Sequence, residues 1–151
     1  VDYKKTVLKS SEFIKSVQIP KPTVGQTLKL YKISKRIDDD ISAVLAAFFI
    51  EQEAEGKDQK ITNVRLAFGG MAATPKRATA AEARLLGKCL TQASVAQAKQ
   101  ALIIDFQPMT DVRASDKYRM KVAQNLIQKC YLELQYANTD KVIETRVVNY
   151  A

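Results

Sequence analysis

The order of hydrophobic patterns along the chain constrains its fold more than any other feature. Stretches alternating apolar and polar residues occupy the first half, and stretches with an apolar residue every three or four positions occupy the second. Period-two alternation turns one face of a strand toward a core, and the longer period does the same for one stripe of a helix. Strands first and helices after, without interleaving, is the α+β arrangement. It predicts a small, mainly antiparallel sheet of about four strands with three helices packed on one face. The 151 residues suit one domain with enough length to bury a core.

Phe13 to Ile19 reads as a strand stopped by Pro20-Lys21-Pro22, followed by a turn at Gly25. Thr27 to Ser34 reads as its partner, with Leu28, Leu30 and the base of Lys32 on one face and Lys29, Tyr31 and Ile33 on the other. Ile41 to Glu55 is ambiguous. Ala43, Ala46 and Ala47 favour helix, whereas Phe48, Phe49 and Ile50 favour strand. Ile61, Val64, Leu66 and Phe68 then form a returning strand ended by Gly69-Gly70.

Thr79 and Glu82 have the spacing of a capping box, and Gly87 stops a short helix there. A second helix spans Thr91 to Asp105, with Val95, Ala98, Leu102 and Phe106 on one stripe. The third begins after Ser115 and carries Met120, Ala123, Ile127, Cys130 and Leu134 at three- and four-residue steps. Cys130 is thereby a buried small hydrophobe rather than a reactive thiol. Residues 137–151, with Val142, Ile143, Val147 and Val148, form a tail or an edge strand beyond a domain of residues 1–136.

Composition narrows the chemistry. The chain has no histidine, which removes Ser-His-Asp triads and most zinc sites. Cys89 and Cys130 lack the spacing of a metal knuckle or redox pair, in keeping with a reducing, cytoplasmic setting. No apolar run is long enough to span a membrane, and no leader pattern opens the sequence. Neither GxGxxG nor GxxxxGK[ST] occurs, so Gly69-Gly70 is read as a tight turn.

The net charge is +8, and residues 1–36 supply most of it: nine Lys/Arg against Asp2 and Glu12. A basic module for nucleic acid or an acidic partner is one reading, and a lysine-decorated strand edge is the other. Only Tyr3, Phe13 and Tyr31 accompany the charge, too few aromatics for a base-stacking platform. Asp38-Asp39-Asp40 invites a divalent-metal reading, but three consecutive carboxylates rarely converge on one ion, and a solvated loop is the simpler reading. Asp111, Arg113, Ser115, Asp116, Tyr118 and Arg119 form a polar cluster at the third helix's entry, where a structural role outweighs ligand contact.

Three separated motifs carry a resemblance: Lys32-Ile33-Ser34-Lys35-Arg36-Ile37-Asp38-Asp39-Asp40-Ile41-Ser42, then Ala67-Phe68-Gly69-Gly70-Met71-Ala72-Ala73-Thr74-Pro75-Lys76-Arg77-Ala78, then Asp111-Val112-Arg113-Ala114-Ser115 with Tyr118-Arg119. In collinear order over about residues 5–136, the chain resembles the C-terminal domain of the FAD-binding subunit of bacterial xanthine dehydrogenases, the domain type shared with carbon monoxide dehydrogenase flavoproteins. The resemblance implies a strand across Ala43 to Glu53, settling the ambiguous hairpin. It also implies a part in electron transfer from a molybdenum cofactor through iron–sulfur clusters to FAD and on to NAD, during purine hydroxylation. Ile14 matches an apolar residue packing on the isoalloxazine ring, and Lys32 a lysine contacting the same ring. Asp38, Asp39 and Asp40 match an acidic loop affecting NAD access. The implied partners are an N-terminal FAD-binding half with glycine-rich turns, an iron–sulfur domain and a molybdenum-binding large subunit. Without that half, the chain is expected to be a piece of a longer protein that holds FAD poorly. A non-catalytic assembly domain of the same family is the alternative.

Overall fold

A computed structural model describes residues 4–36, 40–53 and 59–137. Four strands form one antiparallel sheet in sequence order: β1 (Gln26–Ile33), β2 (Val44–Gln52), β3 (Ile61–Gly69) and the two-residue β4 (Lys76–Arg77). Three helices follow, α1 (Thr79–Leu85), α2 (Gln92–Asp105) and α3 (Asp116–Tyr136). The strand-then-helix order thus gives the expected α+β fold. The ambiguous segment is a strand, as the resemblance implied.

The helices cover one sheet face only. Val44, Ala46, Phe48 and Ile50 of β2 and Ile61, Val64, Leu66 and Phe68 of β3 are buried together with Val95, Ala98 and Leu102 of α2 and Ala123, Ile127 and Cys130 of α3. A row of edge-to-face rings crosses this core: Tyr31 to Phe48 at 5.6 Å, Phe48 to Phe68 at 5.2 Å and Phe68 to Phe106 at 5.4 Å. Such contacts add to area burial because the positive ring edge meets a negative face. On β1 the periodicity left two apolar faces open, and tertiary contact chooses between them. Tyr31 turns inward, its hydroxyl donating to Glu133 of α3 at 2.9 Å, so Leu28, Leu30 and Lys32 turn outward.

The first expected strand is not formed. Phe13 to Ile19 carries no regular structure and lies in a largely exposed arm, residues 4–25. Its alternation is imperfect, Pro20 and Pro22 lack donors, and no strand of this sheet pairs with it. The fourth strand is instead Lys76–Arg77, paired with Phe68 and Ala67. The capping box expected at α1 is also replaced. Glu82 bonds Leu66 N at 2.8 Å and the Arg77 guanidinium, while Asp105 accepts from Ala80 N at 2.9 Å and Ala81 N at 3.0 Å. A carboxylate distant in sequence thus satisfies the helix donors. The capping box sits at α2, between Thr91 and Ser94. Gly87 ends the α1 turn at φ +73°, and Ser115 caps α3 through Tyr118 N, both as expected. The 137–151 tail lies outside the described residues after Ala137.

Candidate functional site: the open sheet face and its loop rim

The face opposite the helices carries Leu28 and Leu30 of β1, Leu45, Ala47 and Phe49 of β2, and Arg65 and Ala67 of β3. Register sets Leu28 beside Phe49, Leu30 beside Ala47, and Lys32 beside Leu45. Leu30 is 69% exposed and Leu45 47%. The result is a flat apolar strip with a cation, Lys32, at one end. At the other end the arm comes over the strip: Ile19, Pro20 and Pro22 enclose a cavity of about 330 Å³ with Leu28, Phe49 and Arg65.

The loops beyond Lys32 form a polar rim. Lys35 Nζ donates to the Val112 carbonyl at 2.8 Å. Arg36 donates to Asp40 from its backbone and its guanidinium, both at 3.2 Å. These bonds, the guanidinium's first, hold the Asp40 carboxyl below the usual carboxylate range. Lys35, Arg36, Asp40 and Arg113 line a cleft of about 490 Å³.

Arg119 of α3 fixes this rim from beneath. It is 3% exposed and donates through Nη1 to the carbonyls of Ala43 (2.5 Å) and Gly70 (2.8 Å) and through Nη2 to Asp111 (2.6 Å). Asp111 also accepts from the backbone N–H of Arg113 at 2.8 Å and of Ala114 at 3.2 Å. The Arg113 backbone bond leads in lowering the Asp111 carboxyl to about 2, with Arg119 adding to it against partial desolvation. Gly70 is required here. Its φ is +79°, and a Cβ would collide with the Ala43 carbonyl oxygen and crowd Arg119. The Asp111–Arg119 cluster is therefore structural, as its composition indicated, and it joins the start of β2, the end of β3 and the entry to α3.

The predicted site residues fall on separate elements. Lys32 stands exposed on the open face, and Ile14 sits in the arm at 69% exposure rather than in the core. Asp40 pairs with Arg36, while Asp38 and Asp39 lie outside the described residues. Among the described residues no group of acids, cysteines or histidines could hold a metal ion. Cys130 is buried, and burial pushes its thiol up to about 11. Within the basic opening segment, Lys29 turns inward to Glu133 at 3.3 Å while Lys32, three residues on, faces out. The Arg119 clamp was visible in sequence only as part of a polar cluster, since its acceptors Ala43 and Gly70 are backbone carbonyls without a sequence signature.

The sheet thus has one face under the helices and one that presents an apolar strip ending in a cation beside a braced loop rim. The CO dehydrogenase flavoprotein C-terminal domain family matches residues 29–134, and the chain belongs to that family. Nicotinate hydroxylase of Emericella nidulans is 41% identical over 88 residues, 57% of this chain and 6% of that protein. Xanthine dehydrogenase of the same organism is 41% identical over 90 residues, 59% of this chain and again 6% of that protein. The solved carbon monoxide dehydrogenase of Hydrogenophaga pseudoflava, in a form lacking the Mo-pyranopterin moiety of the molybdenum cofactor, superposes with a TM-score of 0.64 at 29% identity. That match covers 74% of this chain and 37% of that one. The chain thus spans a minor part of the length of each relative.

Proposed function

We propose that this chain walls one side of the isoalloxazine of FAD in the flavoprotein part of a xanthine dehydrogenase-type molybdenum hydroxylase. Membership of the flavoprotein C-terminal domain family, together with Lys32 exposed at the end of the apolar strip, carries the reading. The surface fits one side of a flat ring: apolar atoms to lie against and a cation at the edge. It does not fit the pyrophosphate, because the chain's five glycines include no GxGxxG cradle. Phosphate anchoring accordingly belongs to a separate N-terminal half.

When bound, FAD would supply the electron-carrying chemistry between the iron–sulfur clusters of a molybdenum hydroxylase and NAD. Lys32 supplies a fixed positive charge where negative charge develops on reduction, lowering its cost in a site shielded from water. Ile14 packs on the ring from the arm. Asp38, Asp39 and Asp40 influence NAD access, with Asp40 held by Arg36. The substrate is a purine hydroxylated in a molybdenum-binding subunit, and the setting is cytoplasmic. No helix among the described residues is long and apolar enough to cross a membrane.

Mixing the chain with the family's N-terminal flavin-binding half tests this. The pair retains FAD with quenched fluorescence, the chain alone holds it weakly, and Lys32→Ala or Ile14→Asp weakens retention. A pair that binds no FAD contradicts the reading.

A further inference from the structure

We propose that Tyr31 is a redox-active tyrosine whose phenol gives an electron to a strong one-electron oxidant while its proton passes to Glu133. The site lies on the helical side of the sheet and stands on this chain's own residues; only its use beside a flavin rests on the reading above. A phenylalanine at position 31 would complete the ring row with Phe48, 5.6 Å away, equally well. The hydroxyl adds what the row does not need, a hydrogen bond of 2.9 Å donated to Glu133 between the sheet and α3. Lys29 at 3.3 Å and Lys129 at 3.8 Å pair with the same carboxylate, so it meets the phenol as an anion able to take a proton. The Cys130 thiol, 2% exposed, lies within hydrogen-bonding reach of the phenolic oxygen.

Each neighbour answers one requirement of the step. Burial raises the phenol above its ordinary range, so Tyr31 offers no phenolate to an oxidant. Loss of the electron alone would leave a cationic ring close to two ammonium groups, a costly charge in a site of low dielectric. Proton transfer along the existing hydrogen bond removes that charge from the ring. The phenolic O–H bond breaks, an O–H bond forms on the Glu133 carboxylate, and the electron leaves with the oxidant. The neutral phenoxyl oxygen then has two donors, the new Glu133 O–H and the Cys130 S–H. A diffusible one-electron reductant such as ascorbate returns the electron, and Glu133 returns the proton. Radicals derived from peroxide, which a reduced flavin forms with dioxygen, are the class of oxidant that fits. Lys32, assigned to the flavin, is the next residue on β1 and faces the other way, so the phenol lies one sheet thickness behind it. Tyr31 is placed there to intercept oxidising equivalents before they spread into the core.

Pulse radiolysis of the full chain with azide radicals, read by phenoxyl absorbance and by electron paramagnetic resonance of rapidly frozen samples, tests the proposal. Of the six tyrosines, exposed ones such as Tyr118 are expected to give radicals that decay quickly by coupling, and Tyr31 a long-lived one. Tyr31→Phe abolishes the long-lived signal, and Tyr118→Phe leaves it in place. Glu133→Gln lowers its yield several-fold, because an amide does not take the proton. Cys130→Ala shortens its lifetime several-fold, and Cys130→Ser, which keeps a donor, restores it. Slower radical formation by the wild-type chain in heavy water is the check that stays informative if a variant perturbs folding. Absence of a long-lived phenoxyl in the wild type, its survival in Tyr31→Phe, or full yield in Glu133→Gln overturns the proposal. No flavin enters this experiment, so its failure leaves the flavin reading standing. Failure of the reconstituted pair to retain FAD removes that reading and leaves Tyr31 as assigned.

Discussion

The two faces of one sheet behave as parts of different molecules. Phe48 and Phe49 are chain neighbours with the same side chain, yet Phe48 is 1% exposed in a row of rings while Phe49 borders an uncovered strip. Tyr31 is tied to α3 through Glu133, whereas Leu30, one residue earlier, is mostly in water. The covered face holds the core that stabilises the domain, and the bare face is the one we propose lies against the flavin. On the bare face the exposed positions are apolar on β1 and β2, at Leu28, Leu30 and Leu45, and basic on β3, at Arg65.

The largest effect expected separates the two phenylalanines. Phe48→Ala destabilises the chain by about 3–5 kcal/mol, because a ring is lost from a close-packed row. Phe49→Ala costs about 1 kcal/mol or less in the isolated chain. Denaturant midpoints measure both, and equal losses would erase the distinction between the faces. Next comes the clamp beneath the rim. Arg119→Met should cost about 3 kcal/mol, since the Ala43 and Gly70 carbonyls lose a donor and Asp111 loses its buried cationic partner together.

A smaller effect concerns acid. Asp111 titrates near 2 when folded against about 4 when unfolded, so its contribution is full above pH 4 and disappears as pH falls toward 2. Asp111→Asn should flatten that part of the stability–pH curve and meet wild type near pH 2. An unchanged slope would show that Arg113 and Arg119 do not hold the carboxylate as described. The smallest is chemical. At pH 8 a thiol reagent should label Cys89 first and Cys130 only on unfolding, since burial hides Cys130 and raises its thiol to about 11. Rapid labelling of Cys130 in the folded chain would mean that the helical face opens.

Much of this was legible in the sequence, for identifiable reasons. α3 announces itself through Ser115 and a five-residue apolar stripe, and β3 through Ile61, Val64, Leu66 and Phe68, because both patterns are local. The errors arose where partners are distant. Phe13 to Ile19 looks like a strand but finds no strand to pair with, and Lys76–Arg77 is a strand solely because Ala67 and Phe68 lie beside it. Thr79 and Glu82 have capping-box spacing, yet Leu66 N and Arg77 hold Glu82 while Asp105 serves the helix. Alternation on β1 offered two apolar faces without saying which was inside. Lys32 and Ile14 came from motif resemblance, and the structure leaves both exposed; Arg119's acceptors, being backbone, had no signature at all.

Lys32 and Lys29 give the most direct test, because they stand on one strand and face opposite ways. In the reconstituted flavin-bound pair, Lys32→Ala should shift the flavin midpoint potential negative by roughly 20–40 mV, the equivalent of about 1–2 kcal/mol of lost charge stabilisation. Lys29→Ala, which removes a partner of Glu133 on the helical side, should leave the potential unchanged. Equal shifts from the two variants, or none from Lys32→Ala, would contradict the claim that the bare face is the one turned to the flavin.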